Sequence, residues 1–119
     1  MTRLSLDLSE RDGIIVGTLD GEIDFSNARS VGEQVLGSVS NEAVGVVLDM
    51  SGIRYLDSAG VSMFFEVVRQ LEVTRQRLAL VLPQHAPLRR LLSITSLDAQ
   101  VEMCESVDDC IRGLQEMST

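Results

Sequence analysis

Few side chains of this 119-residue chain are of a type and spacing that could do chemistry. A serine beside a carboxylate, Asp57-Ser58, stands just ahead of apolar residues at steps of three and four: Val61, Phe64, Phe65, Val68 and Leu71. That period is helical and puts Ser58 at a helix start. A helix N-terminus carries partial positive charge and unpaired N–H donors, so it tolerates a phosphate, and Ser58 is a candidate phospho-acceptor. The small residues Ala59 and Gly60 are expected to leave the N–H groups of that first turn accessible. The plain alternative is that Asp57 or Ser58 is an N-cap, and spacing alone favours the cap. Asp57, Ser58 and the single histidine, His85, are triad residue types, but position 56 is Leu, so the G-x-S-x-G nucleophile elbow is absent and no enzymatic activity is expected. A phospho-aspartate module built on Asp49 would need a lysine at a later strand end, and the chain has no Lys. Asp49 is expected instead to organise the segment after it through backbone N–H groups. Cys104 and Cys110, with five residues between them, do not have C-x-x-C spacing. With one His, a zinc site would need carboxylates to complete it, so no metal is expected.

Composition narrows the function classes further. The formal net charge is −8, and all ten basic residues are Arg. The absence of Lys excludes a P-loop lysine, a kinase-type ATP lysine and a Schiff base. The acidic balance argues against a nucleic-acid backbone as partner, and three Phe, one Tyr and no Trp leave little to stack on bases. No apolar run approaches the ~20 residues needed to span a bilayer. Asp7 breaks up any signal-peptide core, so a cytoplasmic location is expected.

The elements that must position these residues alternate between short apolar runs and amphipathic segments. Leu4, Leu6 and Leu8 alternate as in a strand, Asp12-Gly13 reads as a hairpin turn, and Ile14–Leu19 returns until Asp20-Gly21 ends it. Ala28, Val31, Val35 and Val39 have helical gaps, with Ser26 or Asn27 as the cap. Val44–Met50 is a nearly continuous apolar run, as in a central strand covered on both faces. The helix after Ser58 is expected to run to about Gln76, with Met63 off its apolar stripe. Leu78–Leu82 is a strand stopped by Pro83, and Pro87 opens a short helix carrying Leu88, Leu91 and Leu92. Ala99–Met103 is a weaker strand. Ser106, with Asp109 three residues on, caps a last helix with the stripe Val107, Cys110, Ile111 and Leu114. Cys110 is expected to be a small buried hydrophobe rather than a redox centre. The order β-β-α-β-α-β-α-β-α predicts a single α/β domain over 1–119, with a mixed, mostly parallel sheet packed by helices.

The stretch Asp49-Met50-Ser51-Gly52-Ile53, followed by Tyr55-Leu56-Asp57-Ser58-Ala59-Gly60-Val61, resembles the signature of the STAS domain, the fold of bacterial anti-sigma factor antagonists. Gly21-Glu22-Ile23-Asp24 and Asn27-Ala28 also match that family, and length and element order agree across essentially the whole chain. The resemblance implies a partner switch. An unphosphorylated antagonist binds an anti-sigma factor, itself a serine kinase of the histidine-kinase-like ATPase fold, and frees the sigma factor. Phosphorylation of the serine, here Ser58, breaks the complex, and a metal-dependent serine phosphatase reverses the mark. It further implies that Asp24, Phe25, Ser26, Asn27, Tyr55, Asp57, Ser58, Ala59 and Met63 contribute to partner binding. Phe25 could equally be a core plug, and an exposed Met63 would suit an adaptable contact. A monomer or weak homodimer is expected, with no cofactor, nucleic acid or membrane. The alternative is a STAS scaffold or sensor subunit of a stress-signalling assembly. Two positions depart from the family. Ala59 stands where relatives often carry Ser or Thr, and Ser62, where many have Gly, reads as a surface residue.

Overall fold

The computed structural model describes residues 3–117. Strands β1 (Leu4–Arg11) and β2 (Ile14–Ile23) precede helix α1 (Ala28–Gly37). Strand β3 (Gly45–Leu56), helix α2 (Ser58–Val73), strand β4 (Arg77–Val81) and helix α3 (Pro87–Ile94) follow. A 3-10 turn, Leu97–Ala99, leads to strand β5 (Glu102–Cys104) and helix α4 (Val107–Met117). The strands lie in sequence order, β1-β2-β3-β4-β5, in one sheet. Only β1–β2 is antiparallel, and the later pairs are parallel. This is the expected mixed sheet.

The hairpin forms where Asp12-Gly13 supplies two residues at positive φ (53° and 79°), as a two-residue turn between twisted strands requires. Beyond it, the sheet is covered on both faces. Ile15, Leu19, Val46, Leu48, Leu78 and Leu80 face α1, α2 and α3. The alternate residues Ile14, Val16, Val47, Ala79 and Val81 face α4. Pro87 opens α3 at its first turn, and the Ser106 hydroxyl accepts from the Asp109 N–H at 3.0 Å to cap α4, as expected.

Several boundaries differ from the sequence reading. Asp20-Gly21 does not end β2, which runs on to Ile23. β3 likewise continues through Leu56 instead of stopping at Met50. Bulges make this possible: between the pairs Thr18↔Asp49 and Asp20↔Gly52, Leu19 alone opposes Met50 and Ser51, and between Gly21↔Ile53 and Glu22↔Tyr55 the residue Arg54 is extra. The Asp49 carboxylate accepts the Ser51 N–H at 2.9 Å inside the first bulge, so it does organise the residues after it. Gly21 sits at φ 126°, where a Cβ would lie 2.1 Å from the Arg3 carbonyl oxygen. α1 stops at Gly37, short of Val39. α2 stops at Val73, and Gln76 is instead a buried brace whose amide donates to the Ser40 and Ala43 carbonyls at 2.8 Å. β5 begins only at Glu102, because 97–99 coil into the 3-10 turn.

Candidate functional site

The parallel strands β2 and β3 end side by side, at Ile23 and Leu56, so the segments that follow them are neighbours. The Asp57 N–H donates to the Ile23 carbonyl at 3.2 Å. One carboxylate then joins the two segments. Asp57 Oδ1 accepts the Gly60 N–H at 3.0 Å and so caps α2, while Oδ2 accepts the Phe25 N–H at 3.1 Å across the gap. Asp57 is thus the N-cap, as spacing favoured, and also the tie to the Asp24–Asn27 segment. That second bond spans 32 residues of sequence, and no local pattern announces it.

Gly60 is buried, and its role differs from the one expected. A Cβ there would lie 2.3 Å from Leu56 Cδ1 and 3.1 Å from Ile23 Cγ2. Its smallness lets the helix start sit on the strand ends, and its N–H is taken by Asp57 rather than left open.

The Asp24–Asn27 segment is held from within. Asp24 Oδ1 accepts the Ser26 N–H at 2.9 Å and the Ser26 hydroxyl at 2.6 Å. Asn27 precedes α1 but makes no side-chain cap bond. Its Oδ1 accepts the Asp24 N–H at 3.0 Å and its amide donates to the Glu22 carbonyl at 2.9 Å, so it braces the turn instead of capping the helix.

On this frame Ser58 is exposed, as are Ser26 and Ser62. Phe25 is 82% exposed and Tyr55 52% exposed. Phe25 is therefore a surface residue and not a core plug. Asp24, Asn27, Asp57 and Ala59 are half-buried. Met63 is the exception to the predicted group. It is only 8% exposed, because it fills the space over Gly32, where an added Cβ would meet Met63 Cγ at 3.0 Å. It belongs to the α1–α2 packing, and the expectation of an exposed Met63 is corrected. His85 is exposed, on the segment between β4 and α3.

Carboxylates are frequent here: Asp24 and Asp57 lie in the joined segments, and Asp20 and Glu22 stand on β2 just before them. Asp20 pairs with Arg54 at 3.4 Å with both side chains largely in solvent, an arrangement that contributes little. The site therefore combines an accessible hydroxyl at a helix N-terminus, two exposed aromatic rings and surplus negative charge.

One pairing was missed from sequence. Cys104 and Cys110 are joined in a disulfide. Cys110 is fully buried on the α4 stripe as expected, but it is not a free thiol. The only sequence signal was that both cysteines flank a strand-to-helix turn.

The family model described as the STAS domain matches residues 5–110. A Bordetella bronchiseptica protein named "Putative anti-sigma factor antagonist BtrV" is 27% identical over 77 residues, which span 65% of this chain and 66% of that relative. An anti-sigma factor antagonist from Mycobacterium paratuberculosis superposes with a TM-score of 0.82 at 22% identity, covering 95% of each chain. The Bacillus cell fate determinant SpoIIAA in its phosphorylated form superposes with a TM-score of 0.67 at 18% identity, covering 92% of this chain and 99% of that one.

Proposed function

This chain belongs to the STAS domain family, and from that premise we propose that it is an anti-sigma factor antagonist that works by partner switching. Unphosphorylated, it binds an anti-sigma factor that is also a serine kinase of the histidine-kinase-like ATPase fold, and the sigma factor is released. Phosphorylation of Ser58 ends that binding, and a metal-dependent serine phosphatase restores it. The chain acts in the cytoplasm, as a monomer or weak homodimer, and catalyses nothing itself.

The observation that carries this reading is the exposed Ser58 hydroxyl at the start of α2, beside a Phe25 segment tied to the same helix start by Asp57. A kinase can reach the hydroxyl without unfolding any element. Phe25 and Tyr55 offer aromatic contact area of the kind that anchors interfaces, with Asp24 and Ser26 at the rim. A phosphate adds about −1.5 to −2 charges. In the free protein water and the helix dipole offset that charge against Asp57. Within a close interface it must be desolvated next to a carboxylate, so binding is lost while the fold persists. A relative named as an antagonist, and a superposable protein studied in a phosphorylated form, support the same assignment.

Intact and tryptic mass spectrometry of the chain purified from its own host tests the reading. A fraction heavier by one phosphate on Ser58 is expected. Ser58 unmodified through growth, stress and starvation would contradict the switch and favour a scaffold or sensor subunit, which size-exclusion mass would then show as a large assembly.

A further inference from the structure

We propose that Cys104 and Cys110 are a redox modification site, a dithiol–disulfide pair that opens and closes while the protein stays folded. The two cysteines are bonded with their Cα atoms 5.5 Å apart, and only residues 105–109 lie between them. A ring this short removes roughly half the unfolded-chain entropy that a 100-residue loop would remove. Both ends are also located without the bond. Cys104 is fixed by its register with Val81 and by its carbonyl, which accepts the Leu82 N–H at 3.0 Å. Cys110 is fixed by the Ser106 cap, by its own N–H donating to the Ser106 carbonyl at 3.1 Å, and by Ile111 and Leu114 buried against the sheet. The two sulfurs therefore stay neighbours when the bond opens, and the rest of the fold does not depend on it. Such an arrangement suits a reversible mark rather than a staple between distant elements.

Access is one-sided. Cys104 is half-buried, whereas Cys110 has no exposed surface, so exchange enters at Cys104. In the reducing direction a dithiol's thiolate attacks Cys104 Sγ. Cys110 leaves as a thiolate and takes a proton, and the reductant's second thiol then displaces Cys104 and closes its own disulfide. In the oxidising direction hydrogen peroxide converts the Cys104 thiol to a sulfenic acid with release of one water. Cys110 sulfur then displaces the second water. In sum two thiols and one peroxide give the disulfide and two waters. The element whose freedom changes is β5, a three-residue strand at the end of the sheet order. The geometry is independent of the partner-switching reading.

The test uses the full chain in native buffer. Dithiothreitol is expected to open the bond without denaturant, read as two newly alkylated cysteines by mass. Hydrogen peroxide is expected to close it again. Reduction should leave the far-UV spectrum unchanged and lower Tm by no more than about 10 °C. Amide exchange should rise several-fold at Glu102–Cys104 and in the first turn of α4 and stay constant elsewhere. Cys104→Ser, at the half-buried position, should abolish closure while keeping the far-UV spectrum. A bond that opens only in denaturant, a reduced form that unfolds as a whole, or thiols that peroxide leaves unjoined would each overturn the proposal.

Discussion

Replacing Asp57 separates its two structural bonds from the chemistry of its neighbour. Asp57→Ala removes the cap on Gly60 and the tie to Phe25 together. Loss of a side-chain N-cap costs about 1 kcal/mol. A hydrogen bond to a charged acceptor contributes roughly 1.5–3 kcal/mol when buried, and at the exposed Phe25 amide about 1 kcal/mol is the appropriate share. The sum is about 2 kcal/mol. For a domain of this size about 1 kcal/mol moves Tm by roughly 4 °C, so a fall of about 8 °C is expected. Asp57→Asn keeps one acceptor oxygen but turns an N–H toward the other amide, so it should lose about 1 kcal/mol and about half that Tm shift. Ser58→Ala, at an exposed position, should stay within about 0.5 kcal/mol of wild type. Urea unfolding gives the energies, and hydrogen exchange at the Phe25 amide reports the tie itself, faster in both Asp57 variants and unchanged in Ser58→Ala. An Asp57→Ala protein that melts with wild type, or a Phe25 amide that exchanges no faster, would refute the double role.

Three further substitutions test packing and helix capping. Gly60→Ala gains about 1 kcal/mol of helix propensity but drives a Cβ to 2.3 Å from Leu56 Cδ1; overpacking of about 1–3 kcal/mol should win, so urea unfolding should show a net loss where propensity alone predicts a gain. Met63→Ala should cost about 2–5 kcal/mol in the same assay because it empties a buried site over Gly32, whereas a surface contact residue would stay within about 0.5 kcal/mol. Ser106→Ala should remove about 1 kcal/mol by uncapping α4, with amide exchange rising at Asp109 first; a silent Asp109 amide would show that the hydroxyl is not the cap.

Much of the fold was legible because local chemistry and tertiary placement agree. Asp12-Gly13 takes the positive φ angles that its residue types favour. Pro87 marks a helix start because it has no backbone N–H to leave unpaired, and Ser106 because its hydroxyl accepts the Asp109 N–H. Most of the α2 stripe was readable from its period, with Val61, Phe64, Val68 and Leu71 buried, although Phe65 is only half-buried and Met63 and Val67 complete the face; Ser58 is at the helix start as expected. Most of the remainder depended on contacts that no local pattern encodes. Ser51-Gly52-Ile53-Arg54-Tyr55 interrupts the apolar run that ends at Met50, yet bulges against β2 keep it in the sheet. Met63 shares a period-four row with Val67 and Leu71, so its burial was available in the pattern once Val67 was counted, and Gly32 of α1 supplies the space that it fills. Asp57 reads as a cap, but its second bond goes to a residue 32 positions upstream. The cysteine pair was hidden by a spacing that means nothing until a strand and a helix fold back on the turn between them.

The central claim is that one phosphate on Ser58 decides whether the partner is held. The most direct test is a paired affinity capture from the native host with Ser58→Ala and Ser58→Asp as baits, followed by titration of the recovered ATPase-fold protein against each. The account predicts that Ser58→Ala retains this partner and Ser58→Asp loses it while both baits keep the wild-type Tm. Equal binding of the two baits would contradict it.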